Sequence, residues 1–322
     1  MSFVRQPELH RAFIKKKFIF ALQRHELLEQ HSSNIISNLK IVEDDFNLEH
    51  AESLELSILI GEQQLSFAVI DPAVYRLYWL ESFQFESALK TEQLVQQLET
   101  IFSGHEILKN CFWKTIKVGI INNKSTLLPE ALFDENQIIK YFEINCAYQP
   151  ATEYVLLYRH KNAEIVNLFA TDKLLYELIK TQFSSRKVEF IPLGSILIEG
   201  ILHHTHSTVE PTIYINIGYE LASFAIKNGN QLQYFNSFHI KDFKDLLYYI
   251  LFIAEEFDYT QEQLTVVIWG NTGVETEYHI HLKDYINTVV LGNRANAVSA
   301  SFKFSDIPKH QFFDLLSMPL CS

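Results

Sequence analysis

One stretch of this chain occurs twice, and that repeat restricts the fold more than any other feature. From Gly61 the sequence reads G-E-Q-Q-L-S-F-A-V-I-D, and from Gly218 it reads G-Y-E-L-A-S-F-A-I-K-N. Ser66-Phe67-Ala68 returns as Ser223-Phe224-Ala225, followed by Val69 in one copy and Ile226 in the other. Before each glycine apolar residues alternate, as Leu54, Leu56, Ile58, Ile60 and as Ile213, Ile215, Ile217. Period two predicts strands here, and again over Leu65–Val69 and Leu221–Ile226. Third strands are predicted over Tyr75–Phe85 and Leu232–Phe238, the latter after the hairpin turn Asn228-Gly229-Asn230. Apolar residues at three- and four-residue spacing predict helices over 91–103 and 242–257. The second is so apolar that burial on most sides is expected, with Tyr248, Tyr249 and Phe252 in the core. Ile116–Ile121 and Leu264–Trp269 predict the closing strands. The copies are offset by 157 residues at the glycines and by about 148 at the last strand. A duplicated β-β-β-α-β unit builds two similar α/β layers.

Residues 129–210 lie between the copies. A helix is predicted over Glu135–Ile144, then a hairpin of Tyr154–Tyr158 and Ile165–Phe169 around Lys161-Asn162. Asp172–Phe183 predicts a helix capped by Thr171 or Asp172. Val188–Ile191 is a strand stopped by Pro192, and Leu193–His203 a further helix. The organisation expected is an N-terminal arm over 1–52, a first lobe over 53–207 with a subdomain inserted at about 129–190, and a second lobe over 208–322. The lobe boundary falls near 206–211. The final segment, 304–322, carries Phe312, Phe313, Leu315, Leu316 and Met318. It is expected either to dock on its own fold or to be offered to a partner.

Several function classes are excluded at this level. The chain has 322 residues and 10 glycines, about 3% against a usual ~7%. No G-x-x-x-x-G-K-[ST] and no G-x-G-x-x-G exists, which removes the P-loop and the dinucleotide fingerprint. A net charge of −12 without a long basic run argues against nucleic acid. Cys111, Cys146 and Cys321 are three, widely spaced, and form no C-x-x-C, so reduced thiols in the cytoplasm are expected. Lys15-Lys16-Lys17 precedes an apolar stretch, Phe18–Leu22, too short for a signal peptide. The longest apolar run, Leu246–Ala254, is far short of the ~20 residues of a membrane span.

Two such units with this middle segment resemble the actin-like ATPase superfamily, which includes sugar kinases, heat-shock chaperones and actin. The middle segment is similar to the inserted subdomain of the cell-division protein FtsA and the pilus-assembly protein PilM. The resemblance spans roughly residues 53–290, and it extends to a bacterial family of this fold with no assigned function. It implies an α/β architecture of two ribonuclease-H-like lobes, with a small inserted α/β subdomain in the first. In that superfamily the first strand of each unit ends in Asp-x-Gly. The aspartates hold hydrated magnesium, and the glycine lets backbone N–H groups approach phosphate. Here Gly61 and Gly218 keep the glycines, but Leu59 and Asn216 stand at the aspartate positions. Asn216 can hydrogen-bond but carries no charge and is no base. Glu62 and Glu220 follow the glycines and would repel a polyphosphate. Trp269-Gly270-Asn271-Thr272-Gly273 keeps the first of the paired glycines of the superfamily's adenosine turn.

The resemblance therefore implies Gly61, Asn216, Gly218 and Gly270 as the nucleotide-lining residues, with ATP or ADP bound weakly at most. Phosphoryl transfer depends on positioning and charge neutralisation, and both carboxylates are lost. A non-catalytic binding or scaffold module with a protein partner is the expected function. The alternatives are a magnesium-dependent ATPase or kinase using displaced carboxylates such as Asp71 or Glu220, and a polymerising cytoskeletal protein. No catalytic residue or metal ligand is expected. His203, His204 and His206 fall where a helix ends, a position the helix dipole favours for imidazoles. His279 and His281 splay apart on a helix. Gly194-Ser195-Ile196 lacks the G-x-S-x-G pattern, and nothing local supports His105 acting on Cys111.

Overall fold

The computed structural model describes residues 35–109, 112–204, 211–295 and 298–321. Lys15–Lys17, Phe18–Leu22, Cys111, His206 and most of the expected lobe boundary lie outside them. Strands β1 (Ile35–Val42), β2 (Glu55–Gly61), β3 (Gln64–Asp71), β4 (Arg76–Phe85), β5 (Thr115–Ile120) and β9 (Val188–Pro192) form one sheet in the order β1-β4-β3-β2-β5-β9. Strands β10 (Thr212–Ile217), β11 (Leu221–Asn228), β12 (Gln231–His239), β13 (Thr265–Gly270) and β14 (Thr288–Leu291) form another, ordered β12-β11-β10-β13-β14. Without β1 the two orders are the same. In each, three antiparallel strands are continued by two parallel ones.

The duplication reaches single hydrogen bonds. Leu59 pairs with Ser66, and Asn216, 157 residues on, pairs with Ser223. Ser66 and Ser82 join hydroxyls at 2.8 Å, as do Ser223 and Ser237. A bulge falls at Tyr78 in β4 and at the matching Gln233 in β12. Leu59 pairs with Gly119 and Asn216 with Trp269, so the last strands are offset by 150 residues where about 148 is expected from the sequence. A slip of two residues leaves every side chain on its own face, so alternation alone does not detect it.

The insertion between β5 and β9 holds β6 (Ser125–Pro129), β7 (Glu153–His160) and β8 (Ile165–Asp172), ordered β6-β8-β7, around Phe142, Val166, Leu168 and Ala170. Strand β6 escaped the sequence reading because only Thr126 in it is buried and it ends in proline. The expected insertion runs to about residue 190. Val188–Pro192 instead joins the six-stranded sheet, parallel to β5. Similarly, part of the expected N-terminal arm is ordered as β1, antiparallel to β4.

The helices are α1 (Thr91–Gly104), α2 (Ile138–Asn145), α3 (Lys173–Gln182), α4 (Leu193–His203), α5 (Phe243–Glu256), α6 (Val274–Leu282) and α7 (Phe313–Ser317). Helices α1 and α3 cover the outer face of the first sheet, and α5 that of the second. Only Leu246, Ile250, Ile253 and Ala254 of α5 are buried. Tyr248 is 61% exposed and Phe252 43%, which overturns their expected place in the core. A helix resting on one sheet face buries one stripe, whatever its composition.

Between the inner faces lies a third core. Leu59, Ala68 and Ile70 of one sheet and Tyr214, Ala225 and Val267 of the other close on α4 and on the C-terminal segment. Helix α4 is buried along Leu193–Leu202. At Gly200 a Cβ would overlap Ser317, so glycine permits α4 and α7 to cross in contact. The tail thus docks on its own fold, with Phe313 stacked on Trp269 at 4.0 Å. Lys117, ion-paired to Glu55 at 3.0 Å, also donates to the carbonyls of Met318 and Pro319.

Candidate functional site

The cleft between the lobes opens where both first hairpins point. Gly61, Glu62 and Gln64 line one side, and Asn216, Gly218 and Glu220 the other, around a cavity of about 160 Å³. That is smaller than the roughly 300–1,000 Å³ typical of small-molecule pockets. Three of the four expected residues thus meet at one cavity. Gly270 does not line it, although its neighbour Asn271 does.

Each glycine has a packing reason. A Cβ on Gly61 would come within 3.1 Å of Ile121, and one on Gly270 within 2.6 Å of the Ile217 carbonyl. The backbone N–H groups that a phosphate would need are partly used. Gly218 N–H donates to the Leu221 carbonyl at 2.8 Å, and Gly270 N–H to the His310 carbonyl at 3.1 Å. Leu59 is fully buried in the shared core. It lies against Gly119, where a Cβ would fall 2.7 Å from Leu59 Cδ1. Asn216 is 4% exposed and lines the cavity as a neutral amide.

The charges around the cavity are acidic. Glu62, Glu220 and Asp314 line it, and among the described residues no Lys or Arg does. Burial pushes the Asp314 carboxyl up to about 6, although it accepts a hydrogen bond from Leu315 N–H. It is therefore mostly ionised at neutral pH. Glu220 holds a left-handed backbone, φ 57°, rare for a side chain of this kind. Asn123 bridges the cleft: its Nδ2 donates to His239 Nε2 at 2.7 Å, while His239 Nδ1–H faces the Glu220 carbonyl at 3.2 Å.

At the expected adenosine turn the chain supplies its own occupant. Glu275, fully buried at the start of α6, accepts from Gly273 N–H at 2.8 Å and Thr272 Oγ1 at 3.2 Å. Its Oε1 lies 3.3 Å from His310 Nε2 of the C-terminal segment. Burial raises the Glu275 carboxyl, but His310 and the surrounding donors hold it below its ordinary value. Asp71, considered as a displaced carboxylate, sits at the far end of β3 from Gln64 and accepts from Ala73 N–H. These residues do not fit a magnesium polyphosphate, which needs carboxylates at the two strand ends and cationic or N–H donors facing the phosphates.

One constellation was invisible in the sequence. His160 Nε2 lies 2.9 Å from Ser195 Oγ and its Nδ1 2.8 Å from Glu199, while Asn167 Nδ2 donates to Ser195 Oγ at 3.0 Å. This is the geometry of a serine–histidine–carboxylate relay. All four residues are buried and none lines the cleft, so no substrate reaches the hydroxyl. The network fastens the inserted sheet to α4. His203 Nδ1–H donates to the Glu199 carbonyl, and His204 lies edge-on to Trp269 at the same helix end. Lys227 caps that end through the Ile201 and His204 carbonyls. His279 faces the Val289 carbonyl, whereas His281 faces Glu277, so the two diverge. Cys146 and Cys321 are free. Among the described residues no three His, Cys, Asp or Glu side chains are grouped to hold a metal, and no helix is long and apolar enough to cross a membrane.

Two like lobes meeting over a shared core, with a cleft between their first hairpins, define the actin-like ATPase fold. The chain belongs to the family described as "Protein of unknown function (DUF3822)", whose profile matches residues 43–289. A Bacteroides thetaiotaomicron protein with an actin-like ATPase fold and unknown function superposes with a TM-score of 0.73. It is 20% identical, over 86% of this chain and 99% of that one. The PilM-PilN type IV pilus biogenesis complex superposes with a TM-score of 0.51 at 12% identity, over 83% of this chain and 97% of that one. At such identities the likeness is one of fold. No curated protein shows a significant sequence match.

Proposed function

We propose that this chain is a non-catalytic binding or scaffold module of actin-like fold, acting on a protein partner in the cytoplasm, with at most weak binding of ATP or ADP in the interlobe cleft. The observation that supports it most is that the N–H groups of two expected site glycines, Gly218 lining the cleft and Gly270 beside it, are used within the chain. Gly218 N–H is held by Leu221 and Gly270 N–H by His310, so a phosphate gains neither without breaking a bond the fold already makes. Leu59 and Asn216 remove the charge that would hold hydrated magnesium, and Glu62, Glu220 and Asp314 repel phosphate. The complex of PilM with PilN is an instance of this fold held by a second protein.

Isothermal titration with ATP and ADP, each with and without Mg²⁺, tests the reading. The expected outcome at about 100 μM protein is no heat, or an affinity no better than about millimolar, near −4 kcal/mol. Tight Mg²⁺-dependent binding overturns it, as does ATP hydrolysis that Gly218→Glu abolishes.

A further inference from the structure

Duplication makes the two sheets comparable strand by strand, and their edges differ. In the first lobe β4 is covered by β1, which pairs with Trp79 through Phe85. Trp79 and Phe83 are there 4% and 6% exposed, with Lys40 over the Trp79 ring at 4.3 Å. The matching residues of β12 are Tyr234 and Phe238, and both are only half-buried. Among the described residues nothing pairs with the outer edge of β12. Its nine residues, QLQYFNSFH, include no Lys, Arg, Asp, Glu or Pro. Exposed edge strands ordinarily carry such residues to prevent pairing.

The surface beside this edge is aromatic. Tyr249 of α5 lies flat on Phe238 at 4.1 Å, and the exposed Tyr248 and Phe252 stack next to it. Exposed Lys241 and Lys244 stand at the start of α5, and exposed Glu255 and Glu256 at its end. Asp242 and Asp245, near that start, are engaged by the N–H groups of Lys241, Lys244 and Asp245.

We propose that β12 is the seam of a two-fold homodimer, pairing antiparallel with β12 of a second copy so that two five-stranded sheets become one of ten strands. The two-fold axis, perpendicular to the sheet, sets α5 antiparallel to its mate on the same face. The exposed Lys241 and Lys244 of each helix, whose neighbours Asp242 and Asp245 are tied to backbone N–H groups, then stand on the side of the exposed Glu255 and Glu256 of the other, and the aromatic ledges meet. Such an isologous contact is self-complementary, and main-chain pairing at the seam supplies hydrogen bonds while the aromatic residues supply the apolar area. One edge donor, Ser237 N–H, is held by Asn236 Oδ1 at 2.8 Å. Asn236 is exposed, so its side chain swings aside on pairing.

Interfaces of standard size hold at micromolar dissociation constants or tighter, so sedimentation velocity of the full chain over about 1–100 μM is the test. The expected result is a dimer. Asn236→Lys, which sets like charges beside the axis, and Tyr248→Glu, on the ledge, should each weaken it at least about tenfold, or ~1.4 kcal/mol, with circular dichroism unchanged. A wild-type monomer at the highest concentration overturns the proposal. So does a dimer that both variants leave intact, because its interface then lies elsewhere. A monomer whose residues 234–239 are slow in amide exchange would show another segment of this chain on the edge, and also overturns it.

Discussion

Asp314→Asn is expected to stabilise the protein, increasingly so as pH rises. Asp314 sits in α7 at the floor of the cleft, and burial lifts its carboxyl from 3.8 to about 6. A carboxyl that is harder to ionise in the folded state binds more protons there than in the unfolded chain. Between these two values stability therefore falls as pH rises, and above about 6 the full penalty is present. At about 1.4 kcal/mol per unit the shift corresponds to about 3 kcal/mol near pH 7 and about 1.6 kcal/mol at pH 5. Asparagine keeps the oxygen that accepts from Leu315 N–H and removes the ionisation. Urea unfolding of both proteins from pH 5 to 8 reads the difference. The advantage of the variant should grow by about 1.3 kcal/mol between pH 5 and 7 and then level off. A difference independent of pH, or a variant less stable at pH 7, would refute the assignment of an ionised buried carboxylate at this position.

Three further substitutions probe the central core. Gly200→Ala should cost about 1–3 kcal/mol by urea unfolding, since its methyl group meets Ser317 and Phe313 where α4 and α7 cross; an unchanged midpoint would mean that the helices separate freely. Lys117→Met leaves Glu55 buried without its cation and releases the Met318 and Pro319 carbonyls. It should cost about 3–5 kcal/mol and expose the C-terminal segment to limited proteolysis. Ser195→Ala strips His160 and Asn167 of a buried partner and should cost about 1–3 kcal/mol; a neutral effect would point to water replacing the hydroxyl.

The duplicated unit was legible because it is written in local pattern. Alternation before Gly61 and Gly218, the Ser-Phe-Ala triplets and the helical spacing of 91–103 all depend on neighbours within a few residues. The structure reproduces them as β2, β3, β10, β11 and α1. The glycines were found for the same reason, although the structure assigns them to close packing and to hydrogen bonds within the chain. The offset of the last strand differs by two from the expected value because a period-two pattern is blind to even shifts. Composition places Tyr248 and Phe252 in the core, whereas exposure follows from which stripe of α5 meets the sheet.

By itself the sequence determined that a β-β-β-α-β unit is duplicated into two α/β layers, and that Leu59 and Asn216 stand where the superfamily it resembles has aspartates. Those properties follow from chain-local periodicity and residue identity. Only the tertiary structure decided that His310 and Glu275 close the turn at residues 270–273, that Ser195, His160 and Glu199 converge in a buried cluster, and that, among the described residues, the outer edge of β12 is unpaired while that of β4 is not. Each of these joins residues from distant parts of the chain. Such meetings are set by how α4 and the C-terminal segment pack between the lobes, a three-dimensional packing that one-dimensional pattern does not encode.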